Sequence, residues 1–129
     1  MFKKTGVLTL YLTLTFLTLA CQEEFEFFEG GDFSLRLNQP KTLVDGSVIE
    51  LTNIEDSRCP EGAQCAWEGR SAVILRWKRD AAYNIQLNDV EYPSELIEQY
   101  LITLVEVMPF PTIYNSNQEK LVRITIEIN

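Results

Sequence analysis

Six side chains in one short passage carry most of the chemistry this sequence offers. Asp56, Arg58, Cys59, Glu61, Cys65 and Trp67 all lie in the run DSRCPEGAQCAWEG, from Asp56 to Gly69. Two thiols this close can hold a metal, exchange electrons or close a disulfide. A structural zinc site takes four Cys or His ligands, and the chain has no His and only one other Cys, Cys21. Redox pairs favour the tighter C-x-x-C spacing. Pro60 and Gly62 between the cysteines suit a tight surface loop closed by a Cys59–Cys65 disulfide. On chain-entropy grounds a ring of about seven residues gives roughly 2.4 kcal/mol of stabilisation. Such a bridge persists in an oxidising compartment.

The rest of the composition mainly excludes functions. Without His, neither a Ser-His-Asp nor a Cys-His arrangement can form. With both loop cysteines oxidised, they supply no thiolate nucleophile. Asp and Glu number 19 against 11 Lys and Arg, a formal charge of −8. A glycosidase-like pair of carboxylates stays open by composition, but a chain this short leaves little room for a deep cleft. No catalytic residue, cofactor or metal ligand is assigned, and the D-x-D-x-D-G pattern of a calcium loop does not occur. The acidic balance argues against nucleic acid as a partner.

Within the loop, each residue has a structural role to weigh against a functional one. Asp56 can fix the turn through its own backbone. Arg58 can pair with Asp56 or Glu68, or stack on Trp67. Trp67, two places after Cys65, is expected to cover the disulfide, as aromatic rings often do in sandwich cores. The functional alternative is that Arg58, Glu61 and Trp67 together present a binding surface.

The elements that hold this loop read as strands. Val122, Ile124, Ile126 and Ile128 alternate with Leu121, Arg123, Thr125 and Glu127, the pattern of an antiparallel strand with one face on a core. Similar patterns cover Phe33–Leu37, Ser47–Ile54, Ala72–Lys78, Tyr83–Leu87 and Leu101–Met108. Asp45-Gly46 marks a hairpin between Thr42–Val44 and Ser47–Ile54. Only Pro93–Tyr100 (PSELIEQY) suggests a helix, with Ser94 as N-cap, so one short helix is expected over 94–100. The expectation is an all-β domain over 32–129, an antiparallel β-sandwich of six or seven strands, with a small barrel as the alternative.

The beginning of the chain has a different character. Lys3 and Lys4 precede Val7–Ala20, a run of 14 uncharged residues. That suits a signal h-region and falls short of the roughly 20 residues that span a bilayer. Leu17-Thr18-Leu19-Ala20-Cys21 resembles the bacterial lipobox, although Thr18 stands where Leu is usual. The resemblance implies that residues 1–20 are a lipoprotein signal peptide, cleaved between Ala20 and Cys21, with lipid on the Cys21 sulfur as membrane anchor. The rival reading is an ordinary secretory signal with Cys21 a free or bridging thiol. Lipid on Cys21 leaves Cys59 and Cys65 as an even pair, which resolves the odd count of three.

Residues 21–31 (CQEEFEFFEGG) look like an acidic tether ended by Gly30-Gly31. Its glutamates resemble the surface-export signal of Bacteroidota lipoproteins, which implies an outer-membrane location facing the cell surface; a periplasm-facing anchor is the alternative. Phe25, Phe27 and Phe28 fit a plain linker poorly. They suit the lipid interface or an edge strand of the domain.

The DSRCP run, the five residues to the second Cys and the W-x-G that follows resemble short secreted proteins and lipoproteins of unknown function common in Bacteroidota. The likeness extends from about Gly46 to Ile128 and includes Pro109-Phe110-Pro111. It implies a β-rich envelope domain and supplies no activity. The expected function is a non-catalytic binding module for an envelope protein or glycan. One alternative is a protease-inhibitor-like domain presenting the Cys59–Cys65 loop with Arg58. A second is a small carboxylate-dependent hydrolase.

Overall fold

The computed structural model describes residues 28–129. Among them eight strands form: β1 Gly31–Leu35, β2 Pro40–Thr42, β3 Val48–Asp56, β4 Ser71–Lys78, β5 Ala82–Asn88, β6 Ser94–Ile97, β7 Tyr100–Met108 and β8 Leu121–Ile128. They make two four-stranded antiparallel sheets, ordered β1-β8-β7-β6 and β2-β3-β4-β5. The two sheets stay separate and form a β-sandwich with no closed barrel.

The alternation in the sequence produces this packing. Val73, Leu75 and Trp77 on β4 are buried between the sheets, as are Ile102 and Leu104 on β7 and Val122, Ile124 and Ile126 on β8. Arg76 and Lys78 on β4 turn outward. Trp77 meets Tyr100 of the other sheet with ring centroids 5.1 Å apart, joining the layers through aromatic contact.

Two bulges break the alternation. On β3 the register shifts between Leu51 and Asn53, and the Thr52 hydroxyl donates to the Ile74 carbonyl at 3.0 Å. Before it, Ile49 and Leu51 face the core; after it, Ile54 packs against the core and the Asp56 side chain is only 8% exposed. One extra residue thus exchanges the faces of the strand. A second shift, between Leu104 and Glu106 on β7, turns Val107 inward after Tyr100, Ile102 and Leu104.

The helix expected over 94–100 is absent. Ser94–Ile97 is strand β6, paired residue for residue with Tyr100–Thr103. A two-residue turn, Glu98-Gln99, closes the hairpin with Glu98 at φ 55°. The Ser94 hydroxyl, expected to cap a helix, instead shares a hydrogen bond with the Thr103 hydroxyl across the pair at 2.9 Å. An isolated helix of two turns is marginal, so ladder bonds to β7 prevail. The expected six or seven strands become eight because β6 is added, and the hairpin arm expected at Thr42–Val44 is β2, at Pro40–Thr42.

The strands define two ends. At one end lie the turns 43–47, 79–81 and 98–99, together with Phe28, which bridges to Leu43. Phe28 packs edge-on against Phe33 at 4.7 Å, with the Lys41 ammonium over its ring at 4.8 Å. The sandwich therefore already includes Phe28 and Gly31. Cys21, Ala20, Phe25, Phe27 and the expected signal segment lie outside the described residues. We call this end proximal. The distal end carries the loops 57–70, 89–93 and 109–120.

Candidate functional site: a distal loop platform

The distal end is organised around Asp56, which the β3 bulge turns toward the core. Arg58 grips its carboxylate with two parallel bonds, Nε to Oδ1 and Nη2 to Oδ2, both 2.7 Å. The same Nη2 donates to the Val107 carbonyl at 2.9 Å, and the guanidinium stacks 4.7 Å from the centre of the Phe110 ring. Lys120 completes the cluster, its Nζ donating to Asp56 Oδ2 at 2.9 Å and to the Pro109 carbonyl at 2.8 Å. The Arg58 and Lys120 side chains are 14% and 18% exposed. Burial alone would push the Asp56 carboxyl up. Hydrogen bonds and charge from Arg58 and Lys120 outweigh it and bring the group down to about 2.

The disulfide loop sits on this base. Cys59 and Cys65 are bridged, with Cα atoms 5.8 Å apart. Ser57 N–H donates to the Arg70 carbonyl and Cys59 N–H to the Glu68 carbonyl, so the two arms of the loop run together. Gly69 makes that approach possible. It has φ +69°, and a Cβ there would lie 1.8 Å from the Ser57 carbonyl oxygen. The glycine of the W-x-G motif is thus required by backbone contact.

The loop then joins its neighbour. Glu61 N–H donates to the Pro111 carbonyl at 2.9 Å, and Ile113 N–H to the Glu61 carbonyl at 3.3 Å. Asn115 holds that neighbour in shape, accepting from Thr112 N–H at 2.7 Å and donating to the Phe110 carbonyl at 2.9 Å. The 57–70 and 109–120 loops form one hydrogen-bonded platform.

The motif residues divide accordingly. Asp56 and Arg58 come together as expected, and Asp56 Oδ1 also receives Arg58 N–H at 3.4 Å. Arg58 stacks on Phe110 rather than Trp67, and its acid partner is Asp56 rather than Glu68. Trp67 is 71% exposed, so the expectation that it packs over the disulfide as a core ring is overturned: residues 61–68 are exposed throughout and no core surrounds them. The Glu61 backbone joins the loops while its side chain faces solvent. Phe110 and Ile113, each 50% exposed, and Tyr114, 92% exposed, share the platform. Sequence reasoning missed Lys120, Ile113 and Tyr114; only Pro109-Phe110-Pro111 flagged that region.

A second feature lies on the flank. A hollow of about 210 Å³ opens on the outer face of the β2-β3-β4-β5 sheet, lined by Glu55, Arg70, Ala72, Gln86, Glu91 and Tyr92 among others. Arg70 and Glu91 form an exposed ion pair at 3.0 Å. Glu55 and Glu91 are both solvent-exposed. Among the described residues no three His, Cys, Asp or Glu side chains gather to hold a metal ion.

No protein-family model, curated protein or solved structure matches this chain.

Proposed function

We propose that this protein is an envelope lipoprotein, anchored through Cys21, whose distal platform is a non-catalytic recognition surface for another envelope protein. One observation carries the reading: the platform is built rigidly by buried ions, a disulfide and backbone bonds, yet Trp67 and Tyr114 are left 71% and 92% exposed on it. Packing does not account for these rings. Trp and Tyr are the residues on which interface energy concentrates, and a preformed surface loses little freedom on binding.

The placement supports the same reading. Phe28 enters the sandwich at the proximal end, so an anchor at Cys21 would hold that end toward the membrane. Strands rising about 3.3 Å per residue set the platform roughly 30 Å further out. The inhibitor alternative depends on a free Arg58, and that side chain is held by Asp56 and covered by Phe110. The hydrolase alternative lacks a desolvated carboxylate in the flank hollow.

The test combines mass spectrometry of the native protein with crosslinked capture from intact cells. The expected results are acylation at Cys21 and a partner captured reciprocally, lost in a W67A/Y114A double variant that folds normally. An unmodified Cys21 overturns the anchor. An identical capture profile for wild type and variant overturns the platform.

A further inference from the structure

We propose that the flank hollow binds a single neutral sugar ring. The site needs neither the lipid anchor nor the exposed platform rings, so it goes beyond the reading above.

Its floor comes from strand register. Ala72 on β4 stands between Glu55 on β3 and Asn88 on β5, and Ile74 stands beside Gln86. The small Ala72 side chain, flanked by longer ones, gives the face its depth. Arg70 and Glu91 bound the distal side, and Tyr92 contributes a ring 65% exposed.

The wall that carries Tyr92 is preorganised. Asn88 Oδ1 accepts from the backbone N–H groups of Val90, Glu91 and Tyr92 at 3.1, 2.6 and 3.4 Å, and Asn88 N–H donates to the Tyr92 carbonyl at 2.9 Å. The neighbouring Asp89 carboxylate accepts from Ser71 N–H and Oγ–H at 3.0 and 2.8 Å. A wall fixed in this way loses little freedom when a ligand docks.

The lining selects the ligand class. Arg70 is offset by Glu91, which leaves Glu55 and a chain of charge −8 to repel anions. Glu55, with Arg70 and Glu91 paired, leaves the lining net negative, so a cation is the competing ligand class, for which lysine is the control. What remains is a set of planar donors and acceptors, Gln86, Arg70, Glu55 and Glu91, around an apolar floor and an aromatic ring. Hydroxyls that both donate and accept match that set, and the C–H face of a sugar matches Tyr92. Drug-sized pockets run from about 300 to 1,000 Å³. At about 210 Å³ this one suits one ring rather than an extended ligand.

The test is titration of the full-length protein in detergent with glucose, galactose, mannose and N-acetylglucosamine, followed by calorimetry and by NMR of the Gln86 side-chain amide. The expected result is saturable binding of at least one sugar with Kd of about 1 mM. It weakens roughly tenfold in Tyr92→Ala and in Gln86→Ala, disappears in Ala72→Leu, and is unchanged in Tyr114→Ala. Thermal unfolding confirms that each variant folds; if Ala72→Leu does not, the Tyr92 and Gln86 variants decide. Absence of binding by all four sugars overturns the proposal, as does binding indifferent to Tyr92 and Gln86. So does a site that takes only lysine or inorganic phosphate, supplied as charged controls. Loss of the sugar site leaves the platform reading untouched, because Trp67 and Tyr114 take no part in it.

Discussion

Lys120 reaches Asp56 across 64 positions of sequence, placing its ammonium 2.9 Å from a carboxylate that belongs to the opposite sheet. Arg58 holds both oxygens of the same group, sharing Oδ2 with Lys120. One acid therefore serves two cations where the three side chains are between 8% and 18% exposed. Such a cluster is costly to break from one side, since the remaining charges stay largely shielded from water without a partner.

Asp56→Asn should therefore cost about 3 kcal/mol, more than Lys120→Met, which leaves the Arg58–Asp56 pair intact. Urea unfolding of both single variants and the double variant checks this. Equal losses from the two single substitutions would show that Asp56 is not the hub.

The same group predicts an acid-dependent step. Its folded-state value near 2 lies below the ordinary 3.8. A depressed carboxylate stabilises the fold above its unfolded value and ceases to do so as pH falls through the folded one. About 2 kcal/mol should be fully present above about pH 4 and vanish toward about pH 2. Melting curves across this range should show the fall in wild type and a smaller one in Asp56→Asn. Parallel profiles would count against the ion cluster.

Gly69→Ala and Gly46→Ala form a controlled pair. Both glycines have positive φ, at +69° and +85°, but a Cβ on Gly46 meets nothing within 4 Å. Gly46→Ala should cost about 1–2 kcal/mol through backbone conformation alone. Gly69→Ala should cost clearly more, because the Ser57 carbonyl must move. Thermal unfolding of the two variants side by side reads the difference.

Replacing Cys59 and Cys65 by Ser should lower stability by about 2 kcal/mol on loop-entropy grounds. The amides of Glu61 and Ile113, which join the two loops, should also exchange faster with deuterium. Unchanged exchange would mean that the loop docks without its bridge.

How far the sequence disclosed this molecule depended on the range of each interaction. Val122 to Ile128 announced a strand, because alternation is local and β8 has no bulge. Ser94 to Tyr100 misled, because an N-cap residue followed by helix-tolerant ones says nothing of a partner strand at Tyr100–Thr103. The Asp56–Arg58 pair was legible at a spacing of two. Its other supports were not, since Phe110 and Lys120 become neighbours only when the sheets close. Trp67 does not pack as the core ring expected, because spacing from a cysteine does not reveal that residues 61–68 stay exposed.

Thr52 and Val105 each add one residue to a strand just before the ion cluster. Asp56 reaches the core because the residues after the bulge keep one unbroken pairing, from Asn53 opposite Ile74 to Asp56 opposite Ser71. Deleting Thr52 would leave a regular ladder with Asp56 still opposite Ser71. One residue inserted between Ile54 and Asp56 would instead turn the carboxylate to solvent and strand Arg58 beneath Phe110, whereas one added between Ser116 and Gln118 would lengthen an exposed turn. Tolerance of insertions should thus be sharply uneven along this chain: permissive at the outermost bends, strict between Asn53 and Asp56.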